Sequence, residues 1–219
     1  MELFRTRIST ATGDHLREEV LVLEWKGKKK GNTVKESKNR YGRFAKSYIH
    51  RISPNPRLEK IKVPDATPEI IRRYALNDEQ ALLAILQYNR LIDIFLGITC
   101  YPLQSHLRTT VAEIGQVETD GLYVGISKPG TQYIVPVQAK GKSDEVGIVQ
   151  IEQDFALCEA KFPNLVCRPI AAKLMDDDLI ALFEFVRSEK EISIKEEKHY
   201  RLVPNEDLSS SEIQSYRSS

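Results

Sequence analysis

Residues 117–141 read VETDGLYVGISKPGTQYIVPVQAKG, and the fold turns on whether they form a hairpin. Gln116 to Ile126 alternates in character and is rich in Val and Tyr, Lys128-Pro129-Gly130 is a turn signal, and Tyr133 to Ala139 resumes a β-branched run. The pattern predicts two strands joined by a turn. Side chains alternate across a strand, so Glu118 and Asp120 share one face of the first strand, and Gln138 and Lys140 share one face of the second. Two acids, an amide and an ammonium are therefore expected to converge.

Such a grouping suits a hard divalent cation. Mg²⁺ is usually held by one or two carboxylates together with waters and substrate phosphate. Asp120 and the Gln138 amide oxygen are the expected metal ligands, with Glu118 nearby. Lys140, two residues beyond Gln138, would favour an attacking hydroxide or stabilise charge building on a phosphate. The chemistry implied is phosphodiester hydrolysis. The competing reading is a solvated face on an edge hairpin, where polar residues need no function.

Asp120, a gap of seventeen residues and then Gln138-Ala139-Lys140 resembles the signature of the PD-(D/E)XK nuclease superfamily, which includes restriction endonucleases and Holliday-junction resolvases. The pattern departs at two positions: Thr119 stands where Pro precedes the acid, and Gln138 stands where Asp or Glu is usual. Gly147-Ile148-Val149-Gln150 resembles a G-x-x-Q element in exonuclease-like branches, which implies that Gln150 positions a water or phosphate. Glu113 lies near the end of a helical pattern before the hairpin, where family members carry an accessory acid. Strand geometry favours Glu118 for that role and the resemblance favours Glu113. The likeness spans about Gln104 to Phe185 and implies a restriction-endonuclease-like α/β fold: an αβββαβ core with a mixed central sheet flanked by helices.

Net charge is only +1, but ten Lys or Arg stand against the single acid Glu36 between Lys26 and Arg51. Such a segment can neutralise several phosphates with salt-dependent affinity. Lys28, Lys29, Lys30, Arg40 and Arg43 are its candidate DNA contacts, and Arg108, further along, can meet a phosphate or form a surface ion pair. Trp25, Tyr41, Phe44 and Tyr48 interleave with the basic residues, either as core or as stacking platforms for bases.

Cys100, Cys158 and Cys167 show no CxxC pairing, and the four His make no paired-ligand spacing, which argues against disulfide and zinc frameworks. No apolar run approaches the ~20 residues of a membrane span, and no apolar stretch follows Met1-Glu2-Leu3-Phe4-Arg5, so a cytoplasmic protein is expected.

Along the chain, residues 1–25 hold an alternation that fits either a strand or a short helix. Asn39 to Ile52 predicts a helix, Leu58 to Val63 a short strand, and Ile70 to Tyr74 a helix opened by Thr67-Pro68. One helix is expected from Ala81 to about Gly97 on its apolar stripe, and another from Leu103 to Ile114. Glu145 to Lys161 predicts a helix, and Leu165 to Leu174, Leu179 to Val186 and Ile192 to Val203 predict strands. Asp176-Asp177-Asp178 reads as a hydrated turn. Residues 1–100 are thus expected to be a mostly helical elaboration, 101–204 a nuclease-like core and 205–219 a disordered tail.

The function expected is that of a Mg²⁺-dependent endonuclease acting on double-stranded DNA, with a type II restriction enzyme as leading class and a homodimer as a candidate assembly. The alternatives are a catalytically weak or inactive nucleic-acid-binding protein and a Holliday-junction-resolving or repair nuclease.

Overall fold

The computed structural model describes residues 2–6, 20–24, 51–74, 79–112, 114–188 and 191–215. Two strands near the start, β1 (Glu2–Thr6) and β2 (Val20–Glu24), pair antiparallel, which settles the alternation at Val20 as strand. Most of the helix expected over 39–52 lies outside the described residues, but its last two, Arg51–Ile52, are a short strand, β3.

The central sheet is built from β4 (Lys60–Pro64), β5 (Thr99–Val111), β6 (Gly115–Ile126), β7 (Gln132–Lys140), β10 (Ile170–Leu174), β11 (Leu179–Arg187) and β12 (Ile192–Val203), in the order β4-β12-β11-β10-β7-β6-β5. Two short strands stand off that path: β8 (Val146–Gly147) pairs with β3, and β9 (Val166–Cys167) adds to β7. Pairing is parallel between β7 and β10 and between β12 and β4, and antiparallel elsewhere along the path. The protein is α/β, with a mixed central sheet flanked by helices. A parallel step needs a crossover, and α4 (Ile148–Lys161) supplies it between β7 and β10.

Each face of the sheet is sealed by its own helices. Leu82, Leu83 and Leu86 of α2 (Glu79–Tyr88) and Leu91, Ile92, Phe95 and Leu96 of α3 (Leu91–Leu96) pack with Val135, Val137, Ala139, Ile170 and Leu182. On the opposite face Ile148, Ile151 and Phe155 of α4 meet Ala171, Ala181, Phe183 and Phe185. A short helix, α1 (Glu69–Tyr74), buries none of its residues.

Several sequence expectations need correction. Of the helix expected over 103–114, residues 103–111 are strand: β5 runs to Val111 and pairs with β6 from Thr99↔Ile126 to Val111↔Gly115. Thr109, Thr110 and Val111 are β-branched, and such side chains fit the pleat better than a helix. Pro102 within it is tolerated because β5 is an edge strand. The single helix expected over 81–97 is two, broken where Arg90 adopts a left-handed backbone (φ 53°). Beside the break, buried Asn89 accepts from Ala66 N and donates to Thr67 Oγ1 and Ile85 O, so the polar member of the stripe ties α2 to the chain before α1.

The strand expected over 165–174 splits into β9 and β10 around Arg168-Pro169, since Pro169 has no ladder donor. Arg168 instead forms a bidentate pair with buried Glu184 at 2.7 and 2.9 Å, joined by Lys195 at 3.0 Å. Residues 51–100 are not an appendage, because β4 is a sheet edge and α2 and α3 cover one face. Within the stretch expected to be disordered, a 3₁₀ turn forms at Asn205–Asp207 and a helix, α5, at Ser210–Ser215. The acid triplet at 176–178 is a 3₁₀ turn between β10 and β11, as expected of a hydrated turn. Of the three cysteines, all free, Cys100 and Cys158 are buried and Cys167 partly so.

Candidate active-site cleft

The β6–β7 hairpin forms as the sequence predicts, with its ladder running from Ile126↔Gln132 to Gly121↔Val137. There the ladder stops. The Ala139 amide of β7 donates instead to Asp120 Oδ2 at 2.9 Å. A side chain replaces a backbone rung, which holds Asp120 at the point where the strands part. Thr119 Oγ1 bridges the same point, 3.2 Å from Gly121 O and 3.3 Å from Val137 O. Gly121 lacks a Cβ for a reason of space: a methyl there would lie 3.3 Å from Leu83 Cδ2 of α2.

The divergence leaves a polar cleft of about 490 Å³. Its lining is Glu79, Gln116, Glu118, Asp120, Gln138, Lys140, Gln150 and Gln153. Asp120, Gln138, Lys140, Glu118 and Gln150, all expected from the sequence, are thus brought together. Gln150 arrives on the first turn of α4, because Gly147, paired to β3 through β8, caps that helix.

Glu113 lies outside the described residues, as do Lys28, Lys29, Lys30, Arg40 and Arg43. Arg108 sits on β5, where its Nε is 2.9 Å from Glu118 Oε1. It is the surface pair rather than a group turned to open solvent, and it neutralises Glu118 at the rim.

The acid that sequence reasoning missed is Glu79. It opens α2, and its Oε1 receives Lys140 Nζ at 2.6 Å, whereas Asp120 Oδ2 is 3.9 Å from the same nitrogen. The available signal was an acid in the first turn of a helix, a position the helix dipole favours, but nothing in the spacing ties residue 79 to residue 140.

A second missed residue is Asp154 of α4, buried behind the cleft wall. Gln138 Nε2 donates to Asp154 Oδ2 at 3.0 Å and Oδ1 at 3.1 Å, and lies 3.3 Å from Glu118 O. Burial pushes the Asp154 carboxyl well up, with the Gln138 amide and Thr119 hydroxyl opposing and the Asp120 charge adding to the rise. Burial also raises Asp120, against the pull of the Ala139 amide and the Lys140 ammonium. A perturbed carboxyl in a polar cleft, as at Asp120, is a mark of functional sites.

Among the described residues no three His, Cys, Asp or Glu side chains converge into an all-protein metal cage. Mg²⁺ does not need one, since it keeps several waters and takes one or two carboxylates plus phosphate oxygens. The free lone pairs of Asp120 and the Gln138 carbonyl oxygen fit that requirement. Compared with known protein families, curated proteins and solved structures, the chain matches none of them.

Proposed function

We propose that the protein is a Mg²⁺-dependent endonuclease of double-stranded DNA with a restriction-endonuclease-like core, most simply a type II restriction enzyme. The observation that carries this reading is the convergence of Asp120, Gln138 and Lys140 on one cleft where β6 and β7 part. The helix–three strands–helix–strand order of α3, β5, β6, β7, α4 and β10 supports it.

In this reading Asp120 and the Gln138 oxygen hold the ion, which supplies Lewis acidity toward a phosphate oxygen. Lys140 stabilises charge developing on the phosphate, and Glu79, 2.6 Å away, orients that ammonium and takes the role of accessory acid that Glu113 and Glu118 were expected to contest. Gln150 donates to water or phosphate at the mouth. The basic residues of 26–51 and a two-fold dimer, the simplest way to cut both strands of a palindrome, complete the proposal.

Digestion of plasmid and linear DNA with Mg²⁺ or Mn²⁺ tests it. Asp120→Ala and Lys140→Ala are each expected to lower cleavage by about 10²–10³-fold while leaving folding and most DNA binding intact. Undiminished cleavage by either purified variant rules out the assignment. A second reading, a nuclease-like protein that only binds nucleic acid, is favoured by the missing charge at Gln138; no cleavage by the unmodified chain, with binding retained, selects it. Preference for a four-way junction over linear duplex in the same gels selects a resolving enzyme.

A further inference from the structure

A glutamine can serve a cation only through its carbonyl end, and its two ends are nearly the same shape. Whatever decides which end faces the cleft therefore decides whether position 138 is a ligand or a repelling donor.

The surroundings of Gln138 are one-sided. Its Nε2 meets both oxygens of Asp154 and the Glu118 carbonyl, three acceptors and no donor. Its Oε1 accepts no hydrogen bond among the described residues, yet it is not a sealed, unpartnered atom, and the residue lines the cleft. An acceptor pair behind the amide leaves the oxygen turned forward. Asp154 does not itself line the cleft and is only 1% exposed; an acid on the buried stripe of α4, with Ile151, Phe155 and Cys158, has no packing reason to be there.

We infer that Asp154 is a positioning residue for Gln138: it holds the amide nitrogen from behind so that the carbonyl oxygen is presented to a divalent cation in the cleft. The inference rests on the proposed metal-dependent reading of the cleft. It gives the neutral Gln138 a physical account, because a carboxyl stands one hydrogen bond further back, on the helix. A partner behind a ligand fixes its orientation and sharpens its donor character.

The test is Mn²⁺ binding to the purified full chain, read by EPR of free ion or by calorimetry without DNA. Asp154→Leu keeps the side chain's approximate shape and removes both acceptors. It is expected to weaken Mn²⁺ binding by about 10–100-fold, the usual effect of losing such a partner. The swap Gln138→Glu with Asp154→Asn reverses donor and acceptor, and is expected to recover the lost affinity. Gln138→Glu alone sets two carboxylates against each other and is expected to bind no more tightly than the unmodified chain. A purely structural role for Asp154 would not produce recovery by the swap.

If Asp154→Leu does not fold, the comparison of Gln138→Glu with and without Asp154→Asn decides. A gain on adding Asp154→Asn to Gln138→Glu supports the inference and no change overturns it. Unaltered Mn²⁺ affinity in folded Asp154→Leu, where Asp120→Ala abolishes binding, overturns the orienting role and leaves the cleft reading in place. Absence of Mn²⁺ binding by the unmodified chain overturns both.

Discussion

Asp154 carries a thermodynamic signature that can be read without metal or substrate. Burial, the largest cause, raises its folded carboxyl well above the ordinary range. For a raised group, stability is complete below the unfolded value of about 3.9 and declines as pH rises from there through the folded value. At neutral pH the group therefore withholds stability, and Asp154→Asn is expected to melt higher than the unmodified chain. The two curves should converge near about pH 3.5. Thermal unfolding followed across that range checks it, and a variant less stable at neutral pH would contradict the sign. A residue that lowers stability at neutral pH is more easily understood as serving the site than the core.

The parity of 118/120 and 138/140 was legible because strand alternation is a local rule and the turn at Lys128-Pro129-Gly130 fixed which strands face each other. Glu79 and Asp154 were not legible from spacing, since each reaches the cleft from a helix whose placement depends on tertiary packing. For Asp154 a signal did exist in the sequence: an acid at the i+3 position of Ile151-Asp154-Phe155-Cys158, inside a stripe that otherwise reads as core.

At the scale of elements, β5 shows how far the hairpin's pattern extended unrecognised. Its exposed edge gives it little apolar alternation: only Cys100 and Val111 at its two ends are buried, and the mixture of polar and apolar residues between them resembles a surface helix. What decides it is the partner strand, long enough to pair from Thr99 to Val111. Where α2 crosses this sheet, Gly121 leaves room for its neighbours: a Cβ there would lie 3.2 Å from Tyr123 Cε2 and 3.3 Å from Leu83 Cδ2. Gly121→Val adds two further carbons at that contact and is expected to lower stability by about 1–3 kcal/mol, measured by urea denaturation. Because α2 carries Glu79, on the proposed nuclease reading the same variant should also lose cleavage beyond what its stability predicts. A Gly121→Val protein as stable as the parent would show that α2 yields freely.

The whole molecule differs from the two-part division the sequence suggested. The division expected between residues 100 and 101 does not mark a boundary in the core. β4 pairs with β12 from Lys60↔His199 to Pro64↔Val203, and α2 and α3 seal the face formed by β7, β10 and β11. A fragment of residues 101–204 alone is therefore expected to expose that face and fail to unfold cooperatively, whereas residues 51–215 retain every core element described for the sheet. Circular dichroism melts of the two fragments compare them; a sharp transition in the shorter one would restore the division.

The clamp of β3 on β8, in which Arg51 and Ile52 pair with Gly147 and Val146, anchors the start of α4. Extra residues between Gly141 and Glu145 can therefore bulge outward without disturbing the helix. One residue inserted between Gln150 and Asp154 has no such escape, for it turns everything beyond it by about 100°. The chain should thus pass from tolerant to intolerant of added length within about ten residues, with the anchored pair as the border between slack and gearing.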